Sequence, residues 1–201
     1  MTSAHTRPFS KRTFTLSLLV RSTGAAVMHA PVLARALMRP ATSPALREKV
    51  MLAVTAVNDC RYCSWVHTGL ALENGVDLDA LQQILDAQTF GTVDTREGVA
   101  ILYAKHFADT LRRPGAEAER ALAQAWKTPA ERAEIMAYIH AIYFANLSGN
   151  STDAWLARLR GQSVSDGHPV AEALAAALSA PVLAAIRWRS RHSRPEQMPT
   201  L

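Results

Sequence analysis

Both cysteines of this 201-residue chain fall in one short stretch, Cys60-Arg61-Tyr62-Cys63-Ser64-Trp65-Val66-His67. Two thiols three positions apart, with an imidazole four further on, can close a disulfide staple, hold part of a zinc site or run redox chemistry. A staple is the weakest of these, because C-x-x-C closes too short a loop to constrain the unfolded chain and two cysteines make no disulfide scaffold. On a helix at about 100° per residue, Cys60, Cys63 and His67 fall within about 60° of arc and line one face. Asn58-Asp59 reads as the cap of that helix, which places Cys60 in its first turn. Orphan N–H groups and the positive dipole end there favour thiolate over thiol, more for Cys60 than for Cys63. His67 could take or relay a proton. A zinc ion could use the same three side chains, with water or Glu48 as fourth ligand. No second CxxC or H-x3-H accompanies them, so the redox reading is preferred and no metal is expected.

Glu48 adds a carboxylate one helix earlier. After its first turn that helix is nearly apolar all round, which implies burial on most sides. A carboxylate there needs a partner, and burial alone would raise its pKa. A tight turn at Asn58-Asp59 could bring Glu48 towards His67; equally, Glu48 could be an exposed acid complementing the helix dipole. These residues alone leave both open.

The elements that must position these groups are all helical. An apolar segment over about 14–38 has a kink expected at Pro31. A second helix opens at Ser43-Pro44, with serine as cap and proline in the first turn, and a third covers about 60–74. A fourth follows Asp77. A fifth opens at Asp94-Thr-Arg-Glu97, at capping-box spacing, and runs to Pro114-Gly115; a sixth covers about 116–126. Thr128-Pro-Ala-Glu131 is a second capping box. It opens a long apolar helix expected to stop near Gly149, followed by a short helix at about 153–160. Two Ala-rich pieces start at Pro169 and Pro181. No segment alternates with period two, so the chain reads as an all-α, single-domain bundle of about 8–9 helices.

On the long helix His140, Tyr143, Asn146 and Asn150 form a polar strip that could face the thiols or a subunit contact. A core histidine with capping asparagines near Gly149 is the preferred reading. The net charge of +5 is uneven, with eight Lys/Arg against one acid in 1–50 and four against one in 181–201. The basic character therefore belongs to the ends, and no aromatic-interleaved basic motif suggests nucleic acid. The apolar run at 14–20 stops at Arg21, too short to span a membrane, and a cytoplasmic protein is expected.

Glu48, eleven residues, Cys60, two, Cys63, three, His67 resembles the E-x11-C-x2-C-x3-H signature of the alkyl hydroperoxidase D group of the carboxymuconolactone decarboxylase superfamily. Gly75-Val-Asp-Leu-Asp-Ala-Leu81 and the helix opened at 95–97 are also similar, and the resemblance covers about 42–155. It divides the chain into an N-terminal helical segment with a basic arm (1–40), an alkyl hydroperoxidase D-like core (42–160) and a C-terminal helical extension with a basic tail (161–201). The resemblance implies homo-trimers or hexamers and a thiol peroxidase reaction. Cys63 would attack the peroxide, Cys60 would resolve it as a disulfide, and Glu48 and His67 would relay protons. It implies no cofactor, only a hydroperoxide substrate and an external dithiol donor, a dihydrolipoyl or peroxiredoxin-system protein. Where the best-known members carry a second relay histidine this chain has Tyr62, whose pKa of about 10 makes it a poor base; Tyr62, Tyr143 and Asn146 are auxiliary candidates. Two alternatives are a decarboxylase-like enzyme using His67 and Glu48 as acid and base, and a non-catalytic redox sensor.

Overall fold

The computed structural model describes residues 9–86 and 95–192, and these form eight helices with no strand beyond one isolated bridge. In chain order they are α1 (Leu16–Met38), α2 (Pro44–Asn58), α3 (Arg61–Glu73), α4 (Leu78–Leu85), α5 (Arg96–Asp109), α6 (Gly115–Ala125), α7 (Pro129–Leu159) and α8 (Pro169–His192). The chain is a single all-α domain. Helix α7 is its axis, with α1, α2, α3, α5 and α8 all packed on it, while α2 also packs on α3, α4 and α5. The N-terminal stretch joins the loop before α8 through the Phe9–Val164 bridge.

Several helix starts follow from their caps. Ser43 accepts from the Leu46 N–H with Pro44 in the first turn of α2, Asp77 accepts from Ala80, and Thr95 accepts from Gly98, each satisfying an orphan donor. The Asp94 expected at the start of α5 lies outside the described residues, as do the arm before residue 9 and the tail after 192. Thr128 starts α7 without a side-chain cap bond, so the capping box expected there is not formed.

Two expected breaks do not end their helices. Pro181 lies inside α8, and α7 runs through Gly149 to Leu159 in place of two helices; Pro31, where a kink is expected, lies inside α1. Proline costs a helix one hydrogen bond, and in α8 the flanking alanines, the best helix formers, favour continuation. In α7 the polar run that reads as a terminus is held by tertiary partners. Ser151 Oγ accepts from the Phe14 N–H at 2.9 Å, and Asn150 Nδ2 donates to the carbonyls of Asn58 (2.7 Å) and Arg12 (3.1 Å). Helix α5, by contrast, ends at Asp109, five residues before Pro114, where Leu111 and Arg112 adopt positive φ of 52° and 72°.

By length and composition alone, Leu16–Met38 and Pro169–Ile186 are apolar enough to cross a membrane. The run at 14–20, too short by itself to span, thus leads into a 23-residue apolar helix that is long enough. Both helices pack on α7 and leave large apolar side chains exposed, Val20 and Met28 on α1 and Leu178 and Val182 on α8 among them.

The position of α2 is fixed from α7 by Glu134, which is fully buried. Its carboxylate accepts from the Ala41 and Thr42 N–H groups at 2.9 Å and from Thr42 Oγ1 at 3.0 Å, tying down the segment immediately before α2. Glu134→Ala strands these donors; with buried unsatisfied groups costing about 1–3 kcal/mol each, a loss of about 3 kcal/mol and of roughly 10 °C in Tm is expected. Thermal unfolding followed by circular dichroism checks it, and a Tm within 2 °C of wild type would contradict the anchoring role.

Candidate functional site

The turn between α2 and α3 sets the site. Asp59 adopts the left-handed conformation (φ 52°, ψ 49°) and its N–H returns to the Thr55 carbonyl, closing α2. Aspartate tolerates this region better than most residues. Cys60 is then extended and is itself the N-cap of α3, its sulfur accepting from the Cys63 N–H at 3.4 Å. This corrects the expectation that Asn58-Asp59 caps α3 and that Cys60 lies in its first turn. One left-handed residue reverses the chain, and the residue after it becomes the cap.

Both cysteines are free, with their sulfurs 2.8 Å apart. Cys60 is 1% exposed, whereas Cys63 is half-buried and borders a cavity. The Cys60 thiol is held below its ordinary pKa, chiefly by the hydrogen bond from Cys63 and against the effect of burial, with the backbone N–H groups of Cys63 and Tyr62 adding to it. That same hydrogen bond, together with burial, pushes the Cys63 thiol well up, while Asn146 favours its thiolate. The acidic sulfur is therefore the buried one and the accessible sulfur is its partner.

Glu48 is 1% exposed and accepts from two sides. Its Oε2 stands 2.7 Å from His67 Nδ1, and its Oε1 accepts from Arg47 Nε at 2.7 Å. Burial raises its pKa, but the hydrogen bonds and charges of His67 and Arg47 outweigh this and the net shift is downward. The raised pKa expected from the apolar helix is thus reversed by His67 of α3 and by the neighbouring Arg47 of α2. An ionised carboxylate requires the nitrogen facing it to carry the proton, so Nδ1–H donates to Glu48 and the Nε2 edge of the ring is left for the cavity that His67 lines. Cys63 and His67, four apart on α3, lie on one face.

The auxiliary candidates separate. Asn146, fully buried, donates to Thr55 Oγ1 at 3.1 Å and accepts from Asn58 Nδ2 at 3.4 Å, besides its effect on Cys63. It and Asn150 pin the end of α2 to α7 in mid-helix, so neither is a helix-end cap. Tyr62 lines the cavity with Cys63 and His67, its hydroxyl donating to Asp153 at 2.8 Å and accepting from Arg61 at 2.7 Å. Tyr143 is brought to Phe107, ring edge to face at 5.9 Å, and its buried hydroxyl has no partner among the described residues; it does not line the cavity. His140 stacks on His29 with ring centroids 4.5 Å apart. Among the described residues no three His, Cys, Asp or Glu side chains cluster as a metal site.

Three participants escape a reading by motif. Arg47 is masked by its ordinary place in a first turn, and Asp153 lies 91 residues from Tyr62. The third is Gly149: a Cβ there would stand 2.9 Å from Cys60 Sγ and 3.2 Å from the Tyr62 ring. A glycine inside a helix costs about 1 kcal/mol relative to alanine, and here its missing side chain is the space that the sulfur occupies.

The cavity, about 380 Å³, lies between α3, α7 and α8 with one residue of α1, and its walls are mostly apolar. The family model of the carboxymuconolactone decarboxylase family matches residues 25–106. That match supports placing the chain in the carboxymuconolactone decarboxylase superfamily, and it contains Glu48, Cys60, Cys63 and His67. It begins inside α1, earlier than the resemblance at 42, and stops in α5, leaving α6, α7 and α8 outside. No curated protein and no solved structure matches the chain.

Two outcomes are expected. Gly149→Ala displaces Cys60 Sγ and slows formation of a 60–63 disulfide by diamide at least tenfold, read as loss of two hydrogens in intact mass; a wild-type rate would mean the sulfur moves at no cost. Because the folded-state pKa of Glu48 is depressed, its contribution to stability is present above the unfolded value of about 4.5 and is lost as pH falls through the folded one. In Tm measured from pH 6 to pH 3, Glu48→Gln should lose part of the acid sensitivity of the wild type and melt lower at pH 6. Parallel profiles would contradict the pairing.

Proposed function

We propose that the chain is a CxxC thiol peroxidase that reduces hydroperoxides through a Cys60–Cys63 disulfide. One observation carries the reading: two free sulfurs lie 2.8 Å apart and only Cys63 borders the cavity that His67 also lines. Access decides the attacking atom, since a peroxide cannot reach a sulfur that is 1% exposed.

The chemistry balances as follows. His67 Nε2 takes one proton from the thiol pair, and Glu48 stabilises the resulting imidazolium through Nδ1. The proton left on the pair resides on Cys60 as Cys63 attacks. The Cys63 sulfur displaces alkoxide from ROOH, forming the sulfenic acid, and His67 returns its proton to give ROH. Cys60 then attacks the Cys63 sulfur, water leaves, and the disulfide forms. The peroxide has been reduced and the dithiol oxidised by two electrons. An external dithiol donor restores the pair by exchange. A cytoplasmic setting, where thiols stay reduced, and a homo-trimer or hexamer belong to the same reading.

Cys63→Ser is expected to abolish peroxide consumption. Cys60→Ser should permit one oxidation per chain, trapped by dimedone as a Cys63 adduct, and no disulfide. His67→Ala should slow the first step about 10²-fold or more. An unchanged rate in Cys63→Ser would sink the reading in favour of acid–base chemistry at His67 and Glu48. Disulfide formation by peroxide with no turnover under any dithiol donor would favour a sensor.

A further inference from the structure

The cavity has two unequal parts. Its reactive wall comes from α3, with Cys63 and His67, while much of the remainder comes from α8 and from Ile142 and Phe144 of α7. On α8, Leu178, Val182 and Ile186 recur every four residues and form one stripe; at 1.5 Å per residue it is about 12 Å long. Leu183 lies beside that stripe and packs on Cys60 and Tyr62, carrying the helix up to the thiols. Leu178 is 73% exposed and Val182 61% exposed although both line the cavity. Apolar side chains at a mouth lose contact with water when an apolar ligand enters.

The polar groups at this cavity are few, the thiol and imidazole among them, beside an apolar channel of about 380 Å³, within the usual range for small-molecule sites. That division matches a molecule with one small polar, reactive end and one extended apolar tail. Hydrogen peroxide uses none of the apolar wall. A compact alkyl group cannot cover a stripe 12 Å long, whereas an extended chain can, each buried methylene adding roughly fourfold to affinity.

We infer that α8 is the specificity element of this site and that the cavity takes the tail of a long acyl-chain hydroperoxide, with its peroxide at Cys63. The inference rests on the thiol peroxidase reading for its chemistry and on α8, which lies outside the matched segment, for its selectivity. The step is unchanged: the acyl-chain hydroperoxide leaves as the alcohol, with water and the disulfide as the other products.

The test compares kcat/KM for linoleic acid hydroperoxide, tert-butyl hydroperoxide and hydrogen peroxide in wild type and in Val182→Asp, whose exposed position spares the core. Binding of unreactive laurate is measured alongside by calorimetry. Wild type should prefer linoleic acid hydroperoxide over hydrogen peroxide by at least 100-fold. Val182→Asp should cut that ratio at least tenfold, mainly through KM, and weaken laurate by a similar factor, while Val182→Leu restores both. Equal kcat/KM for the three peroxides, or laurate binding indifferent to Val182, overturns the inference even if peroxide is consumed. Laurate binding that depends on Val182, with no peroxide oxidising the thiols, overturns the peroxidase reading and leaves the tail site standing.

Discussion

A carboxylate with almost no access to water governs the geometry of this molecule. Glu48 sits on α2, a helix otherwise packed on nearly every side, and an ionised group there is tolerable only with partners on both oxygens. One partner is its neighbour Arg47. The other, His67, belongs to the next helix, so the bond fixes how α3 crosses α2. The bond from the imidazole offsets part of the cost of burying the carboxylate. Its effect is positional: it sets one imidazole nitrogen, and with it the tautomer and the edge offered to the cavity.

The sulfurs are placed by a second, independent set of constraints. Left-handed Asp59 makes Cys60 the cap of α3, Asn146 and Asn150 hold the preceding turn against α7, and Gly149 leaves room for Cys60 Sγ. A helix that gives up a side chain and buries two asparagines at its centre is poorer as a helix than one built of leucine and alanine. Those concessions are concentrated where α7 meets the α2–α3 turn. Local rules broken at one place and obeyed elsewhere mark a site.

That concentration explains what the sequence does and does not disclose. The helical class, the starts of α2 at Ser43 and of α4 at Asp77, and the spacing of Glu48, Cys60, Cys63 and His67 are legible because each depends on residues close in the chain, whereas α5 is capped by Thr95, one residue after the Asp94 that opens the expected box. The continuity of α7 is not legible, since Gly149 and its polar neighbours carry the local marks of a terminus while their partners lie on α2, in the turn after it and ahead of α1. The same applies to the Glu48 pKa: the apolar pattern of α2 gives the desolvation correctly, but the opposing hydrogen bond from His67 depends on tertiary packing. Pro181 misleads for a simpler reason, because local propensity in an alanine run outweighs one lost hydrogen bond. At Tyr62, where the best-known relatives carry a relay histidine, the sequence does not disclose the partner of the hydroxyl, because Asp153 is far off in the chain.

Acidity and access fall on different sulfurs, and this division has a chemical use. If the acidic sulfur were also the open one, any oxidant or alkylating agent in solution would meet a ready thiolate. Here the sulfur whose thiolate is the more favoured, Cys60, is buried, and the open sulfur of Cys63 bears charge only when the proton between the two sulfurs, which are 2.8 Å apart, resides on Cys60. In the proposed reaction, attack by Cys63 is therefore coupled to proton movement along the pair, and to whatever occupies the cavity beside it. An apolar occupant that excludes water strengthens the electrostatic interactions among Cys63, His67 and Glu48. The helix that lines that cavity, α8, lies outside the segment that the family model matches, whereas Glu48, Cys60, Cys63 and His67 lie within it. The candidate reactive residues and the apolar wall thus come from separate parts of the chain, joined where Leu183 packs on Cys60 and Tyr62.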